Sequence, residues 1–121
     1  MSWPVIRKSA PERAAANLKD YDAETAAFVW ATARAELCGL PGGGLNIAHE
    51  ALDRHVEAGQ GDRTALRWIG RDETVREFSY AELTEQANRF ASLLRSLDVK
   101  PGDRVYAVLG RIPELYIAAL G

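Results

Sequence analysis

One cysteine, one methionine and two histidines are all this chain holds of the residues that take soft metals or carry thiol chemistry. A single thiol, Cys38, closes no internal disulfide, so the fold has to rest on packing, and a reducing compartment suits it. An excess of basic charge is also missing. Fifteen Lys and Arg stand against 17 Asp and Glu, a net charge of -2, which gives no field to draw a nucleic-acid backbone. No apolar run approaches the ~20 residues of a membrane span. Within the first 20 residues Arg7, Lys8, Glu12, Arg13 and Lys19 interrupt every run that a secretory leader needs. The expectation is a cytoplasmic protein with no nucleic-acid and no membrane partner.

What is present is ordinary globular material: 47% hydrophobic and 26% charged residues in 121, room for one domain. Residues 1–22 are mixed and polar, with Pro4 and Pro11 as breakers, and read as an extended lead-in with a short helix around residues 14–18. Residues 23–37 place Ala26, Val29, Trp30, Ala33 and Leu37 at helical spacing, and Gly39 and Pro41 stop that helix. Asn46 is a cap for a second helix over residues 47–58, ended by Gly59 and Gly61. The period then changes. Residues 64–70 and 74–78 are short and rich in β-formers around the polar turn Arg71-Asp72-Glu73, which reads as a hairpin. Ser79 and Glu82 form a capping box for a helix over residues 80–97 with a stripe of Leu83, Ala87, Phe90, Ala91, Leu94 and Leu97. Residues 100–103 turn the chain. Residues 104–109 (RVYAVL) have the near-continuous apolar character of a strand buried on both faces. Pro113 then suits the first position of a closing helix.

Each candidate site has a plain structural reading beside it. The glycine-rich stretch at residues 39–46 exposes backbone amides as a phosphate loop does, but no lysine or hydroxyl residue follows at the required spacing and a helix precedes it. A connection is the plainer reading. His49 and Asp53 share a helical face and, with Glu50, echo a zinc-protease pattern whose second histidine is replaced by Asp53; three converging ligands are not supplied. Cys38 has no base beside it at a recognisable spacing and reads as a partly buried helix-end residue. Of Trp30, Trp68, Tyr80, Phe90 and Tyr106, all but Tyr80 fit the packing of helix or strand. The most site-like stretch is Gly110-Arg111-Ile112-Pro113-Glu114. It follows the expected buried strand, and ligands of open α/β sheets gather at the carboxyl ends of strands. Arg111 is therefore the candidate for meeting an anionic group, against local pairing or solvation.

The order NLKDYDAETAAFVWATARAEL, GLPGGGLNIAHEALDRH, TALRWIG, REFSYAELTEQANRFASLLRSLDVKPGDRV and GRIPELYIAALG resembles the amino-terminal region of AMP-forming acetate–CoA ligases of the adenylate-forming superfamily. The stretch from Tyr80 to Val105, with its S/T-Y-x-E-L, A-N-x-x-A and L-x-x-L-x-V-x-x-G-D-R-V pattern, resembles the whole superfamily. Residues 45–68 are more similar to acetyl- and short-chain acyl-CoA synthetases. The resemblance implies a parent enzyme that makes acetyl-CoA, AMP and pyrophosphate from ATP, acetate and coenzyme A, with magnesium. Its phosphate loop, aromatic–Thr–Glu segment, ribose-binding Asp and terminal lysine are absent here. The resemblance therefore transfers no catalytic residue, metal ligand or bound cofactor to this chain, and Ser79, Glu82, Gly102 and Asp103 become a cap and a turn.

The fold expected is α/β: amino-terminal helices, a hairpin, an amphipathic helix and the first buried strand of an incomplete larger α/β domain. Residues 1–22 are the lead-in, residues 23–60 a helical segment, and residues 61–121 the start of the large AMP-binding domain. The expected partner is the remainder of a synthetase chain, and the isolated chain is expected to be inactive. Two alternatives remain open: a self-standing α/β binding or interaction module, and a medium-chain or aryl acyl-CoA synthetase fragment.

Overall fold

The computed structural model describes Pro4 and residues 7–121. The start of the lead-in, residues 1–3, 5 and 6, lies outside the described residues. The described chain divides into two compact units that meet in sequence between Glu36 and Leu37.

The first unit holds three short helices, α1 Ala10–Ala15, α2 Tyr21–Ala27 and α3 Trp30–Ala35, none with a buried residue. The helix expected around residues 14–18 lies earlier, and the reason is a capping box the sequence reading passed over. The Ser9 hydroxyl accepts from Glu12 N–H, and the Glu12 carboxylate accepts from Ser9 N–H at 2.7 Å. Pro11 sits in the first turn, where its missing donor costs nothing, so it starts this helix instead of breaking one. The single helix expected over residues 23–37 is broken. Phe28 and Val29 are extended (ψ 127° and 135°), and their rings and branches belong to the residues that lose rotamer freedom in a helix. The Phe28 and Trp30 rings meet edge to face across the break at 5.1 Å.

The second unit is built on a strand-to-helix switch. Strands β1 Thr64–Ile69 and β2 Val75–Ser79 pair antiparallel, with Leu66 opposite Phe78 and Trp68 opposite Arg76. The register slips between Thr64 and Leu66, a bulge that accounts for the imperfect alternation of the sequence. The turn is closed by Gly70 N–H donating to the Thr74 carbonyl at 2.8 Å, and Asp72 accepts from both the hydroxyl and the N–H of Thr74. A Cβ at Gly70 would lie 2.6 Å from Asp72 Oδ1 and 2.9 Å from the Trp68 ring, so a larger residue there would have to displace them.

Helix α5 Tyr80–Ser96 follows β2 with no intervening residue. Ser79 ends the strand and caps the helix: its hydroxyl accepts from Glu82 N–H at 3.2 Å and the Glu82 carboxylate accepts from Ser79 N–H at 2.8 Å. Tyr80 N–H and Ala81 N–H donate back to the carbonyls of Arg63 and Gly61, so these first-turn amides are satisfied too. Leu83 and Ala87 of α5 pack with Phe78 of β2 and with Leu52 of α4 to form the core. Helix α4, residues 47–57, is capped by Asn46, whose Oδ1 accepts from Ala48 and His49 N–H. Its middle, His49–Asp53, is a π turn, in which Arg54 N–H donates to the carbonyl of His49 five residues back. Helix α6 Glu114–Leu120 brings Ile117 and Leu120 onto the same core, and Pro113 before it is fully buried. Burying Leu52, Phe78 and Leu83 contributes roughly 1.5–3 kcal/mol each.

Residues 104–109 differ from a finished strand. They follow the expected turn, where Asp103 accepts from Lys100 N–H at 2.8 Å, but they belong to no sheet, and Val108 is 98% exposed. The apolar run has the composition of a buried strand, yet the only ladder among the described residues is the two-stranded hairpin.

Replacing Ser79 by Ala removes the acceptor for Glu82 N–H. Urea unfolding followed by circular dichroism should show a stability loss of about 1 kcal/mol; an unchanged midpoint would mean that the cap does not hold this junction.

Candidate functional site

Two loops of the second unit carry the candidate chemistry: the glycine loop at residues 39–46 and the corner at residues 110–114.

The glycine loop folds back on itself, with Leu40 N–H donating to the Gly44 carbonyl and Gly43 N–H to the Leu40 carbonyl. Gly39 is left-handed (φ 69°), and a Cβ there would press the Gly44 carbonyl at 3.3 Å. Its neighbouring amides do hold an anion, but the anion is the protein's own. The Glu50 carboxylate accepts from Gly39 N–H at 2.7 Å and Cys38 N–H at 3.2 Å, and pairs with Arg54 at 2.8 Å. The π turn of α4 contains Glu50, and Arg54 follows four residues on, one turn along the same face. The Gly39 amide, then the Cys38 amide and the Arg54 guanidinium, hold the Glu50 carboxyl below the ordinary glutamate range, against the opposing effect of its desolvation. The loop is thus a connection stapled by Glu50. In the sequence Glu50 stands out only within the zinc-like echo; the signal for the staple is its i,i+4 relation to Arg54 beside a run of glycine amides.

The corner at residues 110–114 is held from the hairpin. Trp68 Nε1–H donates to the Arg111 carbonyl at 2.8 Å, and Arg76 of β2 pairs with Glu114 at 3.2 Å while lying over the Phe78 ring. Glu114 is therefore held by Arg76 as well as sitting at the start of α6. The Arg111 side chain is exposed and makes no hydrogen bond or ion pair with another described residue. Of the other candidates Trp68 meets Arg111, at its carbonyl, while Cys38 and Gly39 meet Glu50 of α4.

His49 and Asp53 approach at 3.9 Å on one face of α4, and among the described residues no three His, Cys, Asp or Glu side chains converge as metal ligands. Cys38 is exposed instead of partly buried, and the Arg54 guanidinium lies 3.8 Å from its sulfur. The aromatics divide differently from expectation. Tyr80 is a packing residue that stacks on His55 at 4.5 Å, whereas Trp30 and Tyr106 are 81% and 84% exposed. An open groove between α5 and α6, about 660 Å³, is floored by Phe90, Leu93, Leu109 and Ile117. Its rim charges are already engaged: Glu82 with Ser79, Glu85 with Arg89, Glu114 with Arg76. That leaves the groove apolar in character, without a free acid or base to act on a ligand.

The junction thus has its amides satisfied, the glycine loop is closed by its own glutamate, and Arg111 stands exposed at the corner. The family described as AMP-binding enzyme matches residues 52–121, from Leu52 of α4 through α6. The chain belongs to the AMP-binding enzyme family. The acetyl-coenzyme A synthetase of Deinococcus radiodurans is 47% identical over 79 residues, covering 65% of this chain and 12% of that protein. The one from Streptomyces avermitilis is 45% identical over 78 residues, 64% of this chain and 12% of its own length. The Bacillus subtilis acetyl-coenzyme A synthetase is 38% identical over 108 residues, 87% of this chain and 18% of its own. The chain thus spans a small part of the length of these relatives. No solved structure matches it. No helix among the described residues is long and apolar enough to cross a membrane.

For the member of the AMP-binding family described here, the Glu50 staple predicts acid sensitivity of one loop. A carboxylate whose pKa is lowered by folding contributes stability in full above its unfolded value and loses it as pH falls through the folded one. Amide exchange of Cys38 and Gly39, corrected for intrinsic rate, should be protected at about pH 6 and should lose that protection only as pH falls below the ordinary glutamate range. Glu50→Gln should weaken protection at about pH 6 and remove its dependence on pH; unchanged protection at that pH would contradict the staple.

Proposed function

We propose that this chain is the amino-terminal part of an AMP-forming synthetase that joins acetate or another short-chain acid to coenzyme A, and that the chain by itself does not carry the reaction. The observation that supports it is the likeness to acetyl-coenzyme A synthetases of several organisms, extending to 87% of the chain in the Bacillus subtilis protein. In this reading ATP, magnesium and coenzyme A are used by the longer protein, and its remaining chain is the partner of the 121 residues. The residues here do not fit those groups. The glycine-loop amides at Cys38 and Gly39 are taken by Glu50, no trio of acidic or imidazole ligands converges among the described residues, and the rim of the α5–α6 groove is paired. No step of the reaction is therefore routed through them. Residues 61–121 open the large AMP-binding domain in this reading, with residues 23–60 as a helical segment before it.

The role of the second unit is then positional. It supplies a hairpin, an amphipathic helix and a corner on which later structure is laid. Arg111 is the one side chain assigned to an anionic group; its exposure at the corner and lack of a partner among the described residues support that assignment.

The test is a chimera. The matched segment of the Bacillus subtilis acetyl-coenzyme A synthetase is replaced by this chain, and acetate-dependent ATP–pyrophosphate exchange is measured. Activity within about tenfold of the unmodified enzyme is expected, with the same preference among acids. A folded, soluble chimera without exchange would overturn the reading. In the same chimera Arg111→Ala should raise the KM for an anionic substrate, and Arg111→Lys should restore part of it; equal kinetics in all three would remove Arg111 from the site.

A further inference from the structure

Trp68 and Arg76 stand directly opposite each other on the hairpin, on one face of it, and both reach the same corner. Trp68 Nε1–H donates to the Arg111 carbonyl at 2.8 Å, and the Arg76 guanidinium meets the Glu114 carboxylate at 3.2 Å. One cross-strand pair therefore takes hold of both ends of residues 111–114. Between the two grips Pro113 is fully buried, with its φ fixed by the ring at -56°. The indole has room to lie this way because Gly70 carries no side chain beside it. The Arg76 guanidinium is set in turn by the Phe78 ring, whose centre lies 5.1 Å away.

Arg111 has little else to fix it. Ile112 N–H donates to the Gly110 carbonyl at 3.0 Å, which makes a three-residue turn with Arg111 at its centre. Arg111 lies in no helix or strand, so no regular element aims its long side chain. The Trp68 bond fixes the peptide that follows Arg111, and with it the backbone from which the guanidinium extends. We propose that Trp68 and Arg76 are positioning residues for Arg111, holding its backbone where the guanidinium meets an anionic substrate of the synthetase. The proposal rests on the assignment of Arg111 to an anionic group. Trp68 and Arg76 act through Arg111 and need not touch the substrate. A guanidinium held in place loses less freedom on meeting an anion than one on a loose turn, so the effect belongs to binding and not to turnover.

The test uses the chimera with the Bacillus subtilis synthetase, with the KM values for ATP, acetate and coenzyme A measured separately in acetyl-CoA formation. Trp68→Phe keeps a ring and removes the N–H. It should raise about three- to tenfold the KM of the same substrate that Arg111→Ala affects, with kcat unchanged. In an Arg111→Ala background Trp68→Phe should move that KM by less than about twofold, because the group it positions is gone. Arg76→Gln, at a side chain 45% exposed, should act on the same KM in the same way, and it carries the test where Trp68→Phe does not fold. If Arg111→Ala raises a KM that neither Trp68→Phe nor Arg76→Gln alters, the proposal is overturned while the assignment of Arg111 stands. A rise equally large with and without Arg111 also overturns it, since that is a general loss of structure. If Arg111→Ala alters no KM, the assignment of Arg111 fails and the proposal falls with it.

Discussion

Ser79 is at once the last residue of a strand and the cap of a helix, and the second unit depends on that double duty. With no loop between β2 and α5, the direction of the strand fixes the direction of the helix. Phe78, one residue before the switch, and Leu83, four after it, are forced onto the same side and make the core with Leu52 and Ala87. The amides a helix start leaves open are closed at once, by Ser79 itself and by the carbonyls of Arg63 and Gly61. The same closure denies this helix start to an anionic ligand. Stability and lack of chemistry at this junction have one cause.

The rest of the second unit is held to that junction through side chains of the hairpin. Trp68 reaches the Arg111 carbonyl and Arg76 reaches Glu114, so the strands that pack inward with Leu66 and Phe78 also grip the start of α6. Burial of Pro113 makes the corner rigid at the point where Arg111 projects. The glycine loop shows the same economy, since its free amides are neutralised by Glu50 and the loop becomes a clasp onto α4.

Local signals carried most of what the sequence disclosed. The capping box at Ser79 and Glu82, the hairpin around residues 71–73, Asn46 as a cap and the turn at residues 100–103 all depend on neighbours within a few positions, and all are found. The box at Ser9 and Glu12 was equally local and was passed over because Pro11 read as a breaker. What could not be read depends on distance or on competition. The break at Phe28 and Val29 is a close contest between helical period and side-chain restriction. The π turn inserts one residue without a sequence mark, and with it the Glu50 staple spans 11 and 12 residues. Residues 104–109 have a buried strand's composition, but composition does not provide the partner strand. Of the candidate site, the family pattern was legible, whereas the surroundings of Arg111 depend on Trp68, 43 residues away.

The proposed role of these residues, a framework for the chemistry of a longer acid–thiol ligase, is open to one direct test. ATP–pyrophosphate exchange with the purified chain, with acetate and magnesium present and an intact acetyl-coenzyme A synthetase as the standard, tests it most directly. The account predicts exchange at the level of the protein-free control. Acetate-dependent exchange approaching that of the intact enzyme would contradict it.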